Sequence, residues 1–464
     1  MPSKYVIHTK PVPHRFEPIT KSGVIAWEEG CLKCAVCVKN QCVYGVYDHR
    51  HMDDRQMVDS IDNQCMNCFR CVQNCPRELI HKSINPDFMV MGDSHWTPDT
   101  IARLWYQSQT GKIPVSGAGY PGPFSGPGFD SMWTDMSEIV RPTRDGIHGR
   151  EYISTTVDLG RTPKNLVFTG EGEMNEDIPP LVHIPIPMMM RLPRFGAVND
   201  QTIKGWVMAA RHLDTLLVLP QEICSQYPLE VQRHLVPSIG TGFKKMAPNK
   251  MTRMVELIWD KDWDKNIEVA RYSYPSAIVA MRFPLSQGVE EDIPTALDAG
   301  CPVIHLEGRM DGTTLDQPSQ YIKDGIRRVH QALVERGIRD EITLVASGGL
   351  AMAEHVAKSI ICGADAVILD FPILIALECR MCRRCEKGLS CPVEIDQADS
   401  KWVARRTINL MGAWHNQLLE VMGAMGIREA RRLRGEVGRA MFFEDLEKDL
   451  FGTLIKVKEG YELE

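Results

Sequence analysis

Residues 342–370 read ITLVASGGLAMAEHVAKSIICGADAVILD and contain one complete strand–helix–strand unit. Apolar, β-rich runs predict strands at 342–346 and 366–369, and residues 351–361 between them predict a helix. Two strands joined by a helix pair in parallel, because the crossover returns the chain to the edge it left. This stretch therefore predicts an α/β fold.

The same alternation extends over residues 161–399. Further strands are predicted at 216–219, 277–283 and 303–306, and a run of three methionines at 188–190 is assigned to the first strand. Helices are predicted at 201–212, 289–299 and 320–336. Eight strands cannot all be read from the sequence. The length of the region and a glycine loop near its end nevertheless favour a closed (β/α)8 TIM barrel over an open sheet.

Composition divides the chain into four parts. Residues 1–85 carry two cysteine groups and few other apolar residues, which predicts a small ferredoxin-like domain stabilised by its clusters. Residues 86–160 form an irregular connector rich in Gly and Pro, residues 161–399 form the barrel, and residues 400–464 form a helical, charged tail. The tail breaks at Gly426 and is expected to pack on the barrel or on another subunit.

The bulk composition excludes several classes of protein. The 464 residues are 44% hydrophobic and carry a net charge of −7 without a long basic tract, which argues against a nucleic-acid partner. The apolar stretch at 364–379 is interrupted by Asp365, Asp370 and Glu378, so no membrane span is expected. The start has no apolar signal-peptide core. Cysteines spaced as ligands rather than disulfides indicate a reducing cytoplasm.

Twelve of the fifteen cysteines fall into three groups with iron–sulfur spacing. They are Cys31, Cys34, Cys37 and Cys42; Cys65, Cys68, Cys71 and Cys75; and Cys379, Cys382, Cys385 and Cys391. A two-residue spacer lets neighbouring thiolates bind one cubane, and the second and third groups end in Cys-Pro, which is typical of a closing ligand. Structural zinc is the alternative, although zinc sites usually use two separated CxxC pairs.

The two amino-terminal groups predict two 4Fe–4S clusters. In two-cluster domains the fourth cysteine of each run binds the other cluster. We therefore expect one cluster on Cys31, Cys34, Cys37 and Cys75, and the other on Cys65, Cys68, Cys71 and Cys42.

Two glycine loops near the end of the barrel region predict a phosphate site. Ser347, Gly348 and Gly349 follow one strand, and Gly363 and Ala364 precede the next. Barrels of this type bind a phosphate with the loops after their last strands, where glycine lets backbone amides approach the phosphate oxygens. Either loop alone could be a simple turn. Paired, and just before a cysteine group, they favour FMN.

A glycine-rich segment at 116–128 contains the pattern GxGxxG but does not predict a nicotinamide site. Its glycines are Gly117, Gly119 and Gly122, and three prolines in the same segment forbid the helix that a dinucleotide fingerprint requires. We therefore expect electrons to enter from a redox partner protein, either a ferredoxin or a flavin-reductase subunit, within a hetero-oligomer.

Several stretches resemble the FMN-binding large-subunit domain of the glutamate synthase family, in its archaeal-type form with an amino-terminal ferredoxin domain. They are residues 139–161, 195–197 (FGA), 310–313 (MDGT), 329–350 and 363–392. The resemblance implies a (β/α)8 barrel with FMN and places Phe195, Gly196 and Ala197 among its cofactor-binding residues.

The resemblance also implies a third iron–sulfur cluster beside the flavin. The family has a 3Fe–4S cluster on three cysteines, which correspond to Cys379, Cys385 and Cys391. Cys382 is additional here, and it favours a 4Fe–4S cluster.

The candidate catalytic residues are Arg282, Glu307 and Asp311. Arg282 replaces a family lysine and is expected to contact flavin or a substrate anion; the alternative is an internal ion pair with Glu307. Asp311 is assigned by resemblance, and otherwise shapes a turn. His305 is expected to be a satisfied core histidine, and Lys244 and Lys245 to lie in a solvated loop.

The resemblance implies an oxidoreductase that passes electrons from clusters to FMN and on to a C=N or C=O carbon, 2-oxoglutarate or 2-iminoglutarate in the family. We expect no glutaminase domain like the family's, because no cysteine nucleophile stands at or near the start MPSKYV, and residues 236–249 differ from the family's glycine-rich substrate loop. An electron-transfer subunit without its own organic substrate is the alternative function.

Overall fold

The computed structural model describes most of the chain, in several segments. These are residues 5–26, 30–32, 34, 36–37, 42–47, 65, 67–113, 126–134, 153–162, 168–173, 179–240, 245–435 and 440–450. The GxGxxG glycines, residues 139–152 of the first family-like stretch, and Lys244 lie outside the described residues.

The described strands are, in chain order, β1 Ser22–Ala26, β2 Ile80–Ile84, β3 Met132–Thr134, β4 Val157–Gly160, β5 Leu181–Ile184, β6 Met188–Arg191, β7 Leu217–Pro220, β8 Leu235–Ile239, β9 Met254–Ile258, β10 Ile278–Pro284, β11 Val303–Glu307, β12 Thr343–Ser347, β13 Ala366–Leu369 and β14 Ala440–Phe442. Strands β6 to β13 pair in sequence order, all in parallel, and β13 closes on β6. The predicted (β/α)8 barrel is confirmed.

The described helices are α1 Arg70–Gln73, α2 Pro86–Met89, α3 Pro98–Thr110, α4 Asp200–His212, α5 Gln221–Cys224, α6 Leu229–Gln232, α7 Trp263–Ser273, α8 Val289–Asp298, α9 Ile322–Glu335, α10 Glu354–Ile361, α11 Phe371–Ile375 and α12 Ser400–Met425. Those from α4 to α10 lie between consecutive barrel strands. Within the described residues, no helix has both the length and the apolar character needed to cross a membrane.

Helix α12 completes the outer layer of the barrel. Its amino terminus is capped by Asp399, whose carboxylate accepts the amides of Lys401 and Trp402. Its last turn ends at Gly426, which adopts the left-handed conformation that glycine tolerates best, with a φ of 73°. Most of its residues are buried where it packs on α3, α4 and α10. The first helix of the predicted tail is therefore part of the barrel's core.

The amino-terminal segment is attached to this same helix. The Asn409 side chain exchanges two hydrogen bonds with the backbone of Lys10, and the indole of Trp402 donates to the carbonyl of Pro13. The Tyr5 hydroxyl donates to the carbonyl of Leu213, at the end of α4. Residues 5–13 thus contact the barrel, whereas the sequence assigns residues 1–85 to one iron–sulfur domain.

Outside the barrel, the described residues form three two-stranded antiparallel sheets. Strands β1 and β2 flank the two amino-terminal cysteine groups, and β3 pairs with β14. Strands β4 and β5 form a hairpin at the amino end of the barrel, where the Thr343 hydroxyl donates to the carbonyl of Gly160 and accepts its amide. The carboxyl end of the barrel is therefore the end at which a site can open.

Candidate active site at the carboxyl end of the barrel

The upper interior of the barrel is polar. Barrel interiors are usually filled by branched apolar side chains. Here Glu256 on β9, His305 on β11 and Ser347 on β12 are each at most 3% exposed and contact one another across the strand ends. Buried polar groups at this end of a barrel indicate a site rather than packing.

These three side chains form one hydrogen-bonded chain. Nδ1 of His305 lies 2.7 Å from Oε1 of Glu256, and its Nε2 lies 2.7 Å from Oγ of Ser347. An ionised carboxylate only accepts, so Nδ1–H donates to Glu256, and Nε2 shares its hydrogen bond with the Ser347 hydroxyl. The second oxygen of Glu256 accepts from the Ser238 hydroxyl at 3.0 Å. His305 is buried with both nitrogens bonded, as expected.

Three arginines converge on the carboxylate of Glu307 at the mouth of the barrel. Arg191 Nη1 lies 2.5 Å and Arg282 Nη1 3.1 Å from Oε1, and Arg194 Nη2 lies 3.0 Å from Oε2. The structure therefore brings together two predicted catalytic residues, Arg282 and Glu307, as an internal ion pair, which is the alternative that the sequence left open.

The arginines hold both buried glutamates in the charged form. Burial favours a neutral Glu307, but Arg191, His305 and Arg194 outweigh it, so the pKa of Glu307 lies below its ordinary value. The same balance holds for Glu256, where burial is outweighed by Arg191 and by the hydrogen bond from His305, and its pKa is also lowered. Neither carboxylate is poised to release a proton near neutral pH.

Asp370 behaves in the opposite way. It follows β13 at the same end of the barrel, and its carboxylate accepts the amide of Phe371 at 2.6 Å. Burial raises the pKa of Asp370 despite that hydrogen bond and the nearby Arg191. Asp370 is therefore the carboxyl group at this mouth that burial drives toward its protonated form.

The loop of Ser347, Gly348 and Gly349 packs against the loop that contains Asp311. A Cβ on Gly349 would lie 2.2 Å from the backbone of Gly312, and both Gly348 and Gly349 have positive φ angles, 107° and 61°. Within the described part of the chain, their amides donate to no backbone carbonyl. These amides are therefore available to a ligand at the strand ends.

Asp311 shapes the neighbouring turn. Its Oδ1 accepts both the amide of Thr313, at 3.1 Å, and its hydroxyl, at 2.7 Å. Burial opposes ionisation, but these bonds outweigh it and lower the pKa of Asp311. The carboxylate is thus engaged in its own loop, as in the turn alternative.

The placement of Gly363 and Ala364 does not agree with the phosphate role predicted for them. They precede β13, at the amino end of the barrel, and their amides donate to the carbonyls of Ile360 and Ser359 in the last turn of α10. The carbonyl of Gly363 accepts from Arg339. A helix terminus followed by a strand gives the same glycine pattern as a phosphate loop, and here it is the helix terminus.

The third cysteine group lies beside the barrel mouth. Cys379, Cys382, Cys385 and Cys391 line one pocket together with the predicted residues Phe195, Gly196 and Ala197. The Met381 amide donates to the Cys379 sulfur at 3.4 Å. The Phe195 ring packs on Phe371, after β13, with ring centroids 4.9 Å apart. The FGA motif therefore connects this cysteine group to the strand ends.

The second and third cysteine groups share a backbone pattern. Asn67 and Phe69 have φ angles of 53° and 59°, and the equivalent Met381 and Arg383 have 52° and 53°. Such left-handed residues are uncommon, and they cost energy unless the surroundings require them. Two CxxCxxC loops far apart in the chain thus share left-handed residues at matching positions, which fits a common type of cofactor.

Cys42 lines the same pocket as the second group, with Cys65, Cys68 and Cys71. This is the set predicted to share one cluster. The Nζ of Lys82 lies 2.9 Å from the Cys65 sulfur. Within the described residues, no three His, Cys, Asp or Glu side chains are arranged to hold a single metal ion.

A short segment after β2 links the cysteine loops to the glycine loop. The Gly92 amide donates to the carbonyl of Arg380 at 3.1 Å, and Asp93 lies 3.5 Å from Arg383. His95 Nε2 donates to the carbonyl of Gly349 at 2.7 Å, and the Trp96 indole donates to the carbonyl of Met310. The connector therefore positions both sides of the site.

Sequence reasoning did not assign Arg191, Arg194, Glu256 or Asp370 to the site. The available signal was a charge within or directly after an apolar strand: Glu256 interrupts MVELI, and Arg191 and Asp370 follow MMM and VIL. At the carboxyl end of a barrel strand, such a charge points to the site.

Residues 238–428 match the family model described as the conserved region in glutamate synthase. The archaeal-type glutamate synthase (NADPH) of Dehalococcoides mccartyi is 26% identical over 88% of this chain and 92% of its own length. The enzymes of Archaeoglobus fulgidus and Thermotoga maritima are 24% and 27% identical, each over 95% of its own length and over 92% and 91% of this chain. A solved structure of mandelate oxidase is 13% identical, covers 75% of this chain and 92% of its own, and has a TM-score of 0.43.

Proposed function

From its relationship to the archaeal-type glutamate synthases, we propose that this chain is an iron–sulfur flavoprotein oxidoreductase. It passes electrons from 4Fe–4S clusters to FMN, and FMN reduces a C=N or C=O carbon at the barrel mouth. The single observation that carries the proposal is the third cysteine group, whose pocket is shared with Phe195–Ala197 and so adjoins the strand ends. A cluster beside a flavin converts one-electron transfer into hydride transfer.

The strand ends supply groups suited to FMN. The amides of Gly348 and Gly349 are available for its phosphate, and Ser347 lies at the end of β12 for its polar ring atoms. FMN, when bound, supplies the hydride chemistry. The protein's contribution is to orient the ring, to fix the charge around it and to keep the cluster close.

The relatives' names indicate a reaction to test first. They are glutamate synthases that use NADPH, so 2-oxoglutarate with ammonia is the first candidate reaction. We expect no reduction by NADPH or NADH alone, and electron entry through a ferredoxin or a flavin-reductase subunit in a cytoplasmic hetero-oligomer.

The test is anaerobic purification of the full chain with iron, sulfide and flavin quantified. We expect about twelve iron atoms and one FMN per chain if each group holds a 4Fe–4S cluster. The flavin should bleach with a reduced ferredoxin and recover its colour on addition of a 2-oxo acid or imine acceptor. A protein without flavin, or a reduced flavin that no C=O or C=N acceptor reoxidises, would contradict the proposal.

One observation favours the alternative of an electron-transfer subunit. Arg282, the residue expected to bind a substrate anion, is paired with Glu307 inside the chain. In that case reduced FMN would transfer electrons to a second redox protein and would ignore all small acceptors. The reoxidation test with 2-oxo acid and imine acceptors separates the two functions, because only the first function predicts that such an acceptor restores the flavin colour.

A further inference from the structure

The arginines at the mouth form a carboxylate-binding site that the chain fills itself. Planar guanidinium groups pair with carboxylates through matched hydrogen bonds and are the usual means of binding a carboxylate ligand. Here Arg191, Arg194 and Arg282 all contact one carboxylate, that of Glu307. An incoming carboxylate therefore meets a site that is already occupied.

The geometry places this site between the barrel interior and solvent. Arg191 ends β6, Arg194 lies in the loop that follows, and Arg282 lies on β10. The Arg194 side chain is 59% exposed, whereas that of Glu307 is 15% exposed. A ligand can therefore reach the guanidinium groups from the side of Arg194, and Glu307 lies beneath it.

The charges at the mouth are nearly balanced. Three guanidinium groups face Glu256 and Glu307, both of which are held ionised, together with Asp370. The three guanidinium groups exceed the two ionised glutamates by one charge. Arg282 can donate one more hydrogen bond, because its Nε has no hydrogen-bond partner within the described part of the chain and lies 3.6 Å from Glu256. A dianion would overcompensate the surplus and would also contact Glu307.

From this arrangement we propose that Glu307 is a specificity-determining residue that occupies the carboxylate site and makes the mouth select against dicarboxylates. The favoured substrates are those whose bound end carries no net negative charge. The proposal rests on the proposed function, because it takes the carboxyl end of the barrel as the place where substrate binds. It narrows the range of substrates in that function, because 2-oxoglutarate is a dicarboxylate and would be disfavoured.

The test measures binding of succinate, an unreactive dicarboxylate, to the full chain by anaerobic titration calorimetry. Glu307→Gln keeps the length of the side chain and removes its charge, so the three guanidinium groups can accept a ligand carboxylate. We expect at least about tenfold tighter succinate binding than in the unmodified chain, because like charges in contact disfavour association. Glu291→Gln is the matched control: it removes the same charge from an exposed side chain of α8, and should leave affinity unchanged.

A second comparison ties the gain to the arginines. Glu307→Gln combined with Arg282→Gln should lose the added affinity. If Glu307→Gln does not fold, Glu307→Asp replaces it, since the shorter carboxylate cannot reach all three guanidinium groups, and a smaller gain above the control is expected. The proposal is overturned if the folded Glu307 variant shows no gain, if the control gains equally, or if the gain persists without Arg282.

Flavin content is measured in the same samples, which separates this inference from the proposed function. A gain in succinate affinity by a chain that holds no flavin would support the role of Glu307 and reject the flavoprotein proposal. Flavin at full occupancy without any gain would reject the role of Glu307 alone.

Discussion

Asn67 and Met381, more than three hundred residues apart, have φ angles of 53° and 52° at the same position in two CxxCxxC loops. Each follows the first cysteine of its loop by two residues, and each is followed directly by the second cysteine. A strained conformation that recurs at matching positions reflects a shared requirement of the loops. The most direct requirement is a cofactor of fixed shape, bound by thiolates at fixed directions.

Cys42→Ala should remove the same cluster as Cys68→Ala. Cys42 shares a pocket with Cys65, Cys68 and Cys71, so either change should lower the iron content by about four atoms. Because both changes act on one cluster, combining them should lower it no further, whereas Cys42→Ala with Cys34→Ala should lose about eight. The measurement is iron analysis with low-temperature EPR of the reduced protein. Additive loss in Cys42→Ala/Cys68→Ala would refute the assignment.

Cys382→Ala should convert the third cluster from 4Fe–4S to 3Fe–4S. Cys382 is the exposed member of its group, whereas Cys379 is buried and Cys385 and Cys391 are half-buried. Its loss should therefore remove one iron and leave three ligands in place. The oxidised chain should give no 3Fe–4S EPR signal, and the variant should give a strong one. Cys301→Ala, at a buried cysteine outside the three groups, serves as the control. A strong signal from the unmodified chain would show that Cys382 is not a ligand.

Gly349→Ala should weaken FMN binding while the amino-terminal clusters are retained. The new methyl group would lie 2.2 Å from the backbone of Gly312, so the two loops must separate, at a cost of about 1–3 kcal/mol. Gly337→Ala is a matched control, since Gly337 has a similar φ of 68° but open space around it. Gly337→Ala should lower the free energy of unfolding by only about 1 kcal/mol, because an alanine in the left-handed conformation is strained but meets no neighbouring atom. Flavin occupancy and thermal melting distinguish the two, and equal effects would mean that the packing of Gly349 is unimportant.

Acid should destabilise the chain partly through His415. Burial lowers the pKa of His415 to about 4, against an ordinary value of about 6.5 in the unfolded chain. Between these values the unfolded chain binds the extra proton, so stability is complete above about pH 6.5 and falls as the pH drops toward 4, by about 3 kcal/mol in all.

His415→Gln should flatten this dependence, measured as denaturant unfolding across the pH range. The neutral ring donates from Nε2 to the Thr155 hydroxyl, which itself donates to the carbonyl of Pro185, and an amide can replace that donor. His183→Gln, at an exposed histidine, is the matched control substitution. An unaltered slope in His415→Gln would show that His415 does not titrate on unfolding.

The sequence predicted the barrel wherever its strands were continuous apolar runs. Strands β12 and β13 were found within one residue of their observed bounds. Strands β8 and β9 were not predicted, because Pro237 and Glu256 interrupt their apolar pattern. The charge of Glu256 is explained only by the closed barrel, where Glu256 is paired with His305 and Arg191 across the interior.

The site was predicted in part for a similar reason. Cysteine spacing specifies a chemistry locally, so the grouping of Cys42 with the second run could be derived before the structure was known. The convergence of Arg191, Arg194 and Arg282 on Glu307 depends on strands far apart in the chain, and no local pattern encodes it. A charge at the end of a strand looks the same in sequence whether it contacts solvent or a partner.

The segment that carries the two amino-terminal cysteine groups is joined at both of its ends to parts of the chain that pack on the barrel. Residues 5–13 contact α12 and α4, and the chain returns after β2 to pack α3 on α12. The two ends meet where the Asn85 amide donates to the carbonyl of Lys21 at 3.1 Å. The segment from 22 to 84 therefore lies between two parts of the chain that pack on the barrel's outer helices, residues 5–13 and α3. It can be excised by joining Lys21 to Asn85 through a short linker, whereas removal of everything before residue 85 would uncover α12.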